Sequence, residues 1–151
     1  MLTFALFLVV LLFSCYNLCM EKYELVEKAF EALKFSYAPY SSFCVGAALL
    51  AQDGRVFTGC NVENAAYGPS NCAERTAVFK AVSEGCRSFR AIAIVGGANG
   101  VVSDFCPPCG VCRQVLSEFC DKDFTVILAK SPTELKTFTL GELLPESFSL
   151  N

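Results

Sequence analysis

Cys72-Ala73-Glu74-Arg75 and, further along, Pro108-Cys109-Gly110-Val111-Cys112-Arg113-Gln114 are the two stretches around which the chain is organised. Each follows turn-forming residues, Gly68-Pro69-Ser70-Asn71 in one case and Pro107-Pro108 in the other, and each opens an apolar pattern of helical period. Both therefore predict helix starts with a cysteine at the first turn. Unpaired N–H groups at a helix N-terminus stabilise thiolate over thiol, and a Cys-x-x-Cys spacing there lets Cys109 and Cys112 reach one metal ion. With Cys72 the count is three soft sulfur ligands. A catalytic zinc takes three protein ligands and keeps a fourth position open, whereas a structural zinc closes all four. Glu74 lies two residues beyond Cys72, so it points elsewhere on that turn, placed to move protons beside the metal and not to ligate it.

Composition narrows the alternatives. A chain of 151 residues fits one domain with a substantial core. The net charge is −3 and there is no basic run, so the electrostatic footprint of a nucleic-acid binder is missing and a small-molecule substrate is favoured. The chain has 0 histidines, which excludes Ser-His-Asp and Cys-His nucleophile systems and histidine-ligated zinc sites together. Ten cysteines raise the question of a disulfide scaffold. A thiolate–zinc site is best preserved in a reducing compartment, which points to the cytoplasm, and Cys44, Cys60, Cys86 and Cys120 read as small apolar core residues.

Two rival readings use Cys106. Cys106-Pro107-Pro108-Cys109 is itself a Cys-x-x-Cys before a helix, the pattern of a thiol–disulfide oxidoreductase. Alternatively Cys106 closes the zinc site as a fourth ligand, making a non-catalytic structural module.

Taken in order, residues 1–20 carry no charge and are almost continuously apolar between Leu2 and Phe13. Three readings of this segment stand: a secretory leader or membrane anchor, an upstream extension with the start at Met20, or an additional packed segment. Secretion or membrane attachment follows only under the first. The domain proper is residues 21–151. Glu21 to Phe35 has one apolar face, Leu25, Val26, Ala29, Phe30 and Leu33, and reads as a helix covering a sheet. Phe43 to Ala51 reads as a buried strand, turning at Gln52-Asp53-Gly54-Arg55 into an antiparallel neighbour over Val56 to Val62. Helices are predicted over Cys72 to Gly85 and Cys109 to Cys120, and further strands over Phe89 to Val95, Phe124 to Ala129 and Leu135 to Leu140. Gly96 to Gly100 reads as a loose loop, and the unit around the second helix as strand–helix–strand with a parallel pairing. The tail from Gly141 contains a short helical turn. The predicted fold class is α/β, a three-layer α/β/α sandwich with a mixed five-stranded sheet.

Tyr37-Ala38-Pro39-Tyr40-Ser41, Val45-Gly46-Ala47-Ala48-Leu49, Gly59-Cys60-Asn61-Val62-Glu63-Asn64, Cys72 to Ala77 and Pro108 to Gln114, in that order, resemble the small homotetrameric cytidine deaminases. The resemblance runs from about Tyr37 to Phe148. It implies zinc-dependent hydrolytic deamination of cytidine and deoxycytidine in pyrimidine salvage, with Cys72, Cys109 and Cys112 holding Zn²⁺ and Glu74 shuttling protons between water and the pyrimidine. It further implies Asn61 and Glu63 on the sugar hydroxyls and Phe43 flanking the pyrimidine. Tyr67 and Phe148 are implied to serve a neighbouring subunit's pocket in a homotetramer. Arg75 and Gln114 are candidate donors to the zinc-bound sulfurs, since three thiolates over-neutralise a divalent ion. At sequence level Asn61 and Glu63 are equally readable as solvated turn residues, and Arg113 receives no role. Val111, Cys106 and Pro107 depart from the family pattern.

Overall fold

The computed structural model describes residues 21–150. The three readings of residues 1–20 fall outside the described residues. Helix α1 covers residues 21–33. It is followed by β1 (Phe43–Ala51), β2 (Val56–Cys60), α2 (Ala73–Ser83), β3 (Phe89–Ala98), α3 (Gly110–Phe119), β4 (Thr125–Ala129), β5 (Leu135–Thr139) and the single turn α4 (Leu140–Leu143). The strands form one sheet in the order β2-β1-β3-β4-β5, parallel only between β3 and β4.

The apolar runs of β1, β3 and β4 are continuous because both faces of the sheet are covered. Side chains alternate across a strand, so odd and even positions serve different cores. Ala47, Leu49, Ile92, Ile94, Val126 and Leu128 pack with Ala77, Val78 and Ala81 of α2 and Leu116 of α3. Ala48, Leu50, Ala93, Val95, Ile127 and Ala129 pack on the other face with Leu25, Val26, Ala29 and Leu33 of α1. This is the predicted three-layer sandwich. Each large aliphatic side chain so enclosed stabilises the fold by about 1.5–3 kcal/mol relative to exposure.

Three local expectations are corrected. The second strand ends at Cys60, not Val62: beyond it Val62 makes only isolated bridges, to Tyr37 and Asn71. The third strand continues through Gly96 and Gly97 to Ala98, where a loose loop was expected, because these residues pair with Val45, Cys44 and Phe43 of β1. The glycines there serve close packing: a Cβ on Gly96 would lie 2.8 Å from the Cys106 sulfur. The parallel pairing lies between β3 and β4, across α3, while β1 separates β2 from β3.

That last arrangement positions the site. Strands β2 and β3 are both antiparallel to β1, so they run the same way and finish at the same end of the sheet. The segments leaving them lead into α2 and α3, and the two helix N-termini meet there. Helix α2 can lie this close to β2 because residue 59 is glycine; a Cβ at that position would sit 2.3 Å from the Ala73 carbonyl oxygen and 2.5 Å from the Ala77 nitrogen.

Candidate metal centre and active site

Cys72 is the N-cap of α2, Cys109 the N-cap of α3, and Cys112 lies in the first turn of α3. Neither N-cap side chain caps its own helix, which leaves the sulfurs free to face each other. The Cys72 and Cys109 sulfurs are 3.9 Å apart and those of Cys109 and Cys112 3.4 Å apart, all three lying within 4.8 Å of one another. Tetrahedral zinc with Zn–S bonds of about 2.3 Å requires sulfurs roughly 3.8 Å apart. The trio therefore fits the ion in both spacing and chemistry.

The charge on the sulfurs is already biased. Cys72 is pulled down to about 5, first by its hydrogen bond with Cys112 and then by the Arg75 guanidinium, which donates to its sulfur at 3.3 Å. Cys112 is pushed up by the same hydrogen bond and by burial. Arg75 also reaches the Ser70 carbonyl at 3.4 Å, and its Nε is buried without a partner among the described residues. A cation fixed beside clustered sulfurs is what an over-neutralised metal site needs.

Glu74 is 5 % exposed, the charged residue most enclosed in the core of the described chain. Burial, and secondarily the Cys72 thiolate, raise its carboxyl above the ordinary range. It lines a cleft of about 540 Å³ together with Asn61, Glu63, Tyr67, Cys72, Arg75, Cys106, Pro107, Cys109 and Val111. A carboxyl raised by burial and the sulfurs of Cys72 and Cys109 therefore line one cavity of small-molecule size, with Cys112 buried beside them.

Other residues singled out in the sequence fall into two groups. Asn61 and Glu63 line the cleft, but Asn61 also holds the start of β1 and Glu63 the segment just before it. The Asn61 side chain accepts from the Val45 N–H and donates to the Phe43 carbonyl, both at 2.8 Å. Glu63 accepts from the Tyr40 N–H at 2.9 Å, the Ser41 N–H at 3.1 Å and the Ser41 hydroxyl at 2.5 Å. Phe43 is not among the residues that line the cleft; its ring lies near Cys106, since a Cβ on Gly96 would touch both. Tyr67, at the rim, is exposed and has a φ of 48°, in the left-handed region. Phe148 is exposed and does not line this chain's cleft. Gln114 was expected to donate to the sulfurs; instead its amide bonds the backbone of Phe148, donating to the carbonyl at 2.9 Å and accepting from the N–H at 3.3 Å. Sequence reasoning missed Ser41, whose hydroxyl ties Glu63 in place, and gave Arg113 no task although it follows Cys112 directly.

Cys106 supports neither rival reading. The sulfurs close enough to hold a metal among the described residues are those of Cys72, Cys109 and Cys112, so Cys106 does not close the site. Cys106 and Cys109 are free thiols, and burial pushes the Cys106 thiol up to about 11. A redox cysteine at a helix start is activated in the opposite direction.

Comparison with known proteins agrees with this geometry. Residues 20–128 match the family model described as the cytidine and deoxycytidylate deaminase zinc-binding region, a span that contains all three cysteines. The cytidine deaminase of Sporosarcina psychrophila is 49% identical over 130 residues, 86% of this chain and 93% of that protein. The cytidine deaminase of Halalkalibacterium halodurans is 48% identical, over 86% of this chain and 96% of its own length. The crystal structure of the cytidine deaminase from Burkholderia pseudomallei superposes with a TM-score of 0.76 at 47% identity, covering 83% of this chain and 97% of that one. The enzyme from Mycobacterium tuberculosis gives a TM-score of 0.70 at 42% identity, over 84% and 96%. With the motifs, the three-layer fold and the sulfur trio all in agreement, the chain belongs to the cytidine and deoxycytidylate deaminase family of zinc-binding enzymes.

Proposed function

We propose that this chain converts cytidine and deoxycytidine, with water, to uridine and deoxyuridine plus ammonia, in the salvage of pyrimidine nucleosides. The observation that carries the proposal is the buried Glu74 lining the same cleft as Cys72 and Cys109, two members of a three-sulfur cluster at zinc-binding distances. Cys72, Cys109 and Cys112 hold the zinc. When bound, the ion supplies Lewis-acid activation of water for attack at C4 of the pyrimidine. Glu74 would take one proton from that water and deliver it to N3, then take the second from the oxygen added at C4 and deliver it to the departing amino group, so that C4=O forms as ammonia leaves. A carboxyl raised by desolvation suits both halves of that task, since it binds a proton readily and gives it up within the enclosed site. Arg75 balances the sulfur charge through its bond to Cys72.

Asn61 and Glu63 bind the sugar hydroxyls with the hydrogen-bonding capacity left after they have fixed residues 40–45: one amide proton and one oxygen lone pair of Asn61 and one carboxylate lone pair of Glu63. Phe43 flanks the base. Tyr67 and Phe148 are large aromatics exposed in the single chain, 77% and 71%, and we assign them to contacts with neighbouring copies in a homotetramer. Free thiols and a thiolate metal site favour a cytoplasmic enzyme, with residues 21–151 as the deaminase domain and no nucleic-acid partner. The test is direct: zinc-loaded protein incubated with cytidine should release ammonia and uridine in equal amounts. Absence of both, in protein shown to contain zinc, overturns the proposal.

A further inference from the structure

Arg113 follows the ligand Cys112, yet its guanidinium faces neither the sulfurs nor the cleft. Its Nε donates to the Pro108 carbonyl at 2.8 Å, and its Nη1 donates to the Leu143 carbonyl at 2.7 Å. Pro108 is fully buried and immediately precedes Cys109, the ligand most exposed of the three. Leu143 closes α4, at the start of the C-terminal tail. One half-buried side chain thus ties the backbone that presents Cys109 to an element reached only after two further strands. The next residue, Gln114, grips the same tail at Phe148 through both of its amide atoms, leaving the ring exposed.

These contacts have a mechanical consequence for the metal. Cys112 sits within α3, where helix hydrogen bonds and full burial fix it. Cys109 is a helix cap at the end of an irregular segment running from Val101 to Pro108, so its position depends on what anchors that segment. The Pro108 nitrogen has no hydrogen to contribute, and its carbonyl is held by Arg113. Charge-assisted bonds to backbone carbonyls are the stronger class of hydrogen bond, and the forked guanidinium can hold two at once.

We propose that Arg113 is a positioning residue for zinc: by latching Pro108 to the C-terminal tail it holds Cys109 in the ligating geometry, and without it the metal escapes through that ligand. The inference rests on the assignment of Cys109 as a ligand. The proposal concerns retention of the ion and requires nothing of the substrate.

The test uses the full-length zinc-loaded protein and follows transfer of zinc to a chromophoric chelator, well below the unfolding temperature. Arg113→Ala is one variant. Arg113→Met is the second, keeping the apolar stem and its packing while removing every donor. Groups that orient metal ligands typically alter affinity 10–100-fold; release should accelerate by at least about tenfold in both variants, with the unfolding midpoint of Arg113→Met near that of the parent. Gln114→Ala, which frees Phe148 but leaves Pro108 held, should release zinc at the parent rate. Release from the folded Arg113→Met protein within twofold of the parent overturns the latch. A parent protein that carries no zinc when purified without chelator overturns the ligand assignment instead, so the two failures are distinguishable.

Discussion

A tight constraint on the active site is placed outside it, at Gly59. A Cβ added to this residue would lie 2.3 Å from the Ala73 carbonyl oxygen, 2.5 Å from the Ala77 nitrogen and 3.0 Å from the Thr76 Cβ. The first two atoms are helix backbone and cannot rotate away. Restoring ordinary contact requires α2 to withdraw from β2 by roughly 1 Å. Two costs follow. Overpacking of this kind destabilises a core by about 1–3 kcal/mol. More specifically, α2 carries Cys72 at its cap and Glu74 in its first turn, whereas Cys109 and Cys112 ride on α3 and do not move with it. A misplacement of about 1 Å between catalytic groups costs on the order of 100-fold in rate. Gly59→Ala should therefore fold, with a denaturation midpoint reduced by the overpacking cost, and should show a far larger loss in kcat/KM than its stability loss explains. The assay pairs denaturant unfolding with cytidine turnover on zinc-loaded protein. Turnover within threefold of the parent would show that α2 does not set the relation between Glu74 and the sulfurs, and the reasoning would fail.

The remaining predictions concern the site itself. Glu74→Gln should retain stoichiometric zinc by elemental analysis while kcat falls by about 10²–10⁴, the range for loss of a general acid–base group; near-parent turnover removes Glu74 from the mechanism. Cys109→Ala should lose both metal and activity, and full zinc occupancy in that variant would show that the ligand set is wrong. The Glu63 carboxylate is held below its ordinary range, first by the Ser41 hydroxyl and then by the Tyr40 N–H. Because its folded pKa is depressed, the stabilisation it gives residues 40–41 is present above the unfolded carboxylate pKa and is lost as pH falls through the lower folded value. The difference in unfolding midpoint between parent and Glu63→Gln should therefore be constant at neutral pH and shrink only in acid. A difference that instead vanishes on raising the pH contradicts this assignment.

Much of the architecture could be read in the sequence because its signals were local or periodic. Continuous apolar runs at Phe43 to Ala51 and Phe124 to Ala129 announced strands covered on both faces, and turn residues before Cys72 and Cys109 announced two helix starts. What escaped was set by distant partners. Gly96 and Gly97 look like loop residues in isolation; they are strand because β1 pairs with them and because Cys106 and Val101 press too close to admit a side chain. The insertion of β1 between β2 and β3 leaves no trace in local pattern. Gln114 lies in a ligand-bearing motif, but its side chain is directed by a tail more than thirty positions later. Zinc was legible because the chemistry of three cysteines and one acid survives without knowledge of the fold. The double duty of Asn61 and Glu63 was not, since nothing in their neighbourhood marks Ser41, Phe43 and Val45 as their partners.

The electrostatics of the site explain why the fold brings two helix starts, and not one, to this end of the sheet. Three thiolates around a divalent ion leave one excess negative charge, which would weaken the ion as a Lewis acid. Arg75 supplies one positive charge, bonded to the Cys72 sulfur. The helix N-termini at Cys72 and Cys109 add partial positive charge aimed at the same sulfurs, each roughly half an elementary charge at most. A site built on one helix would have a single such contribution and a single cap position. Here Cys72 and Cys109 each occupy a cap, the extended backbone of both residues keeping the sulfurs clear of their own helices. The ladder that makes this possible is ordinary: two strands flanking β1 and running the same way, each delivering the chain to a helix over the same end of the sheet. The convergence of positive charge on these sulfurs is thus a consequence of strand direction, and Glu74 reaches the cleft because it rides on the first turn of the helix whose cap is Cys72.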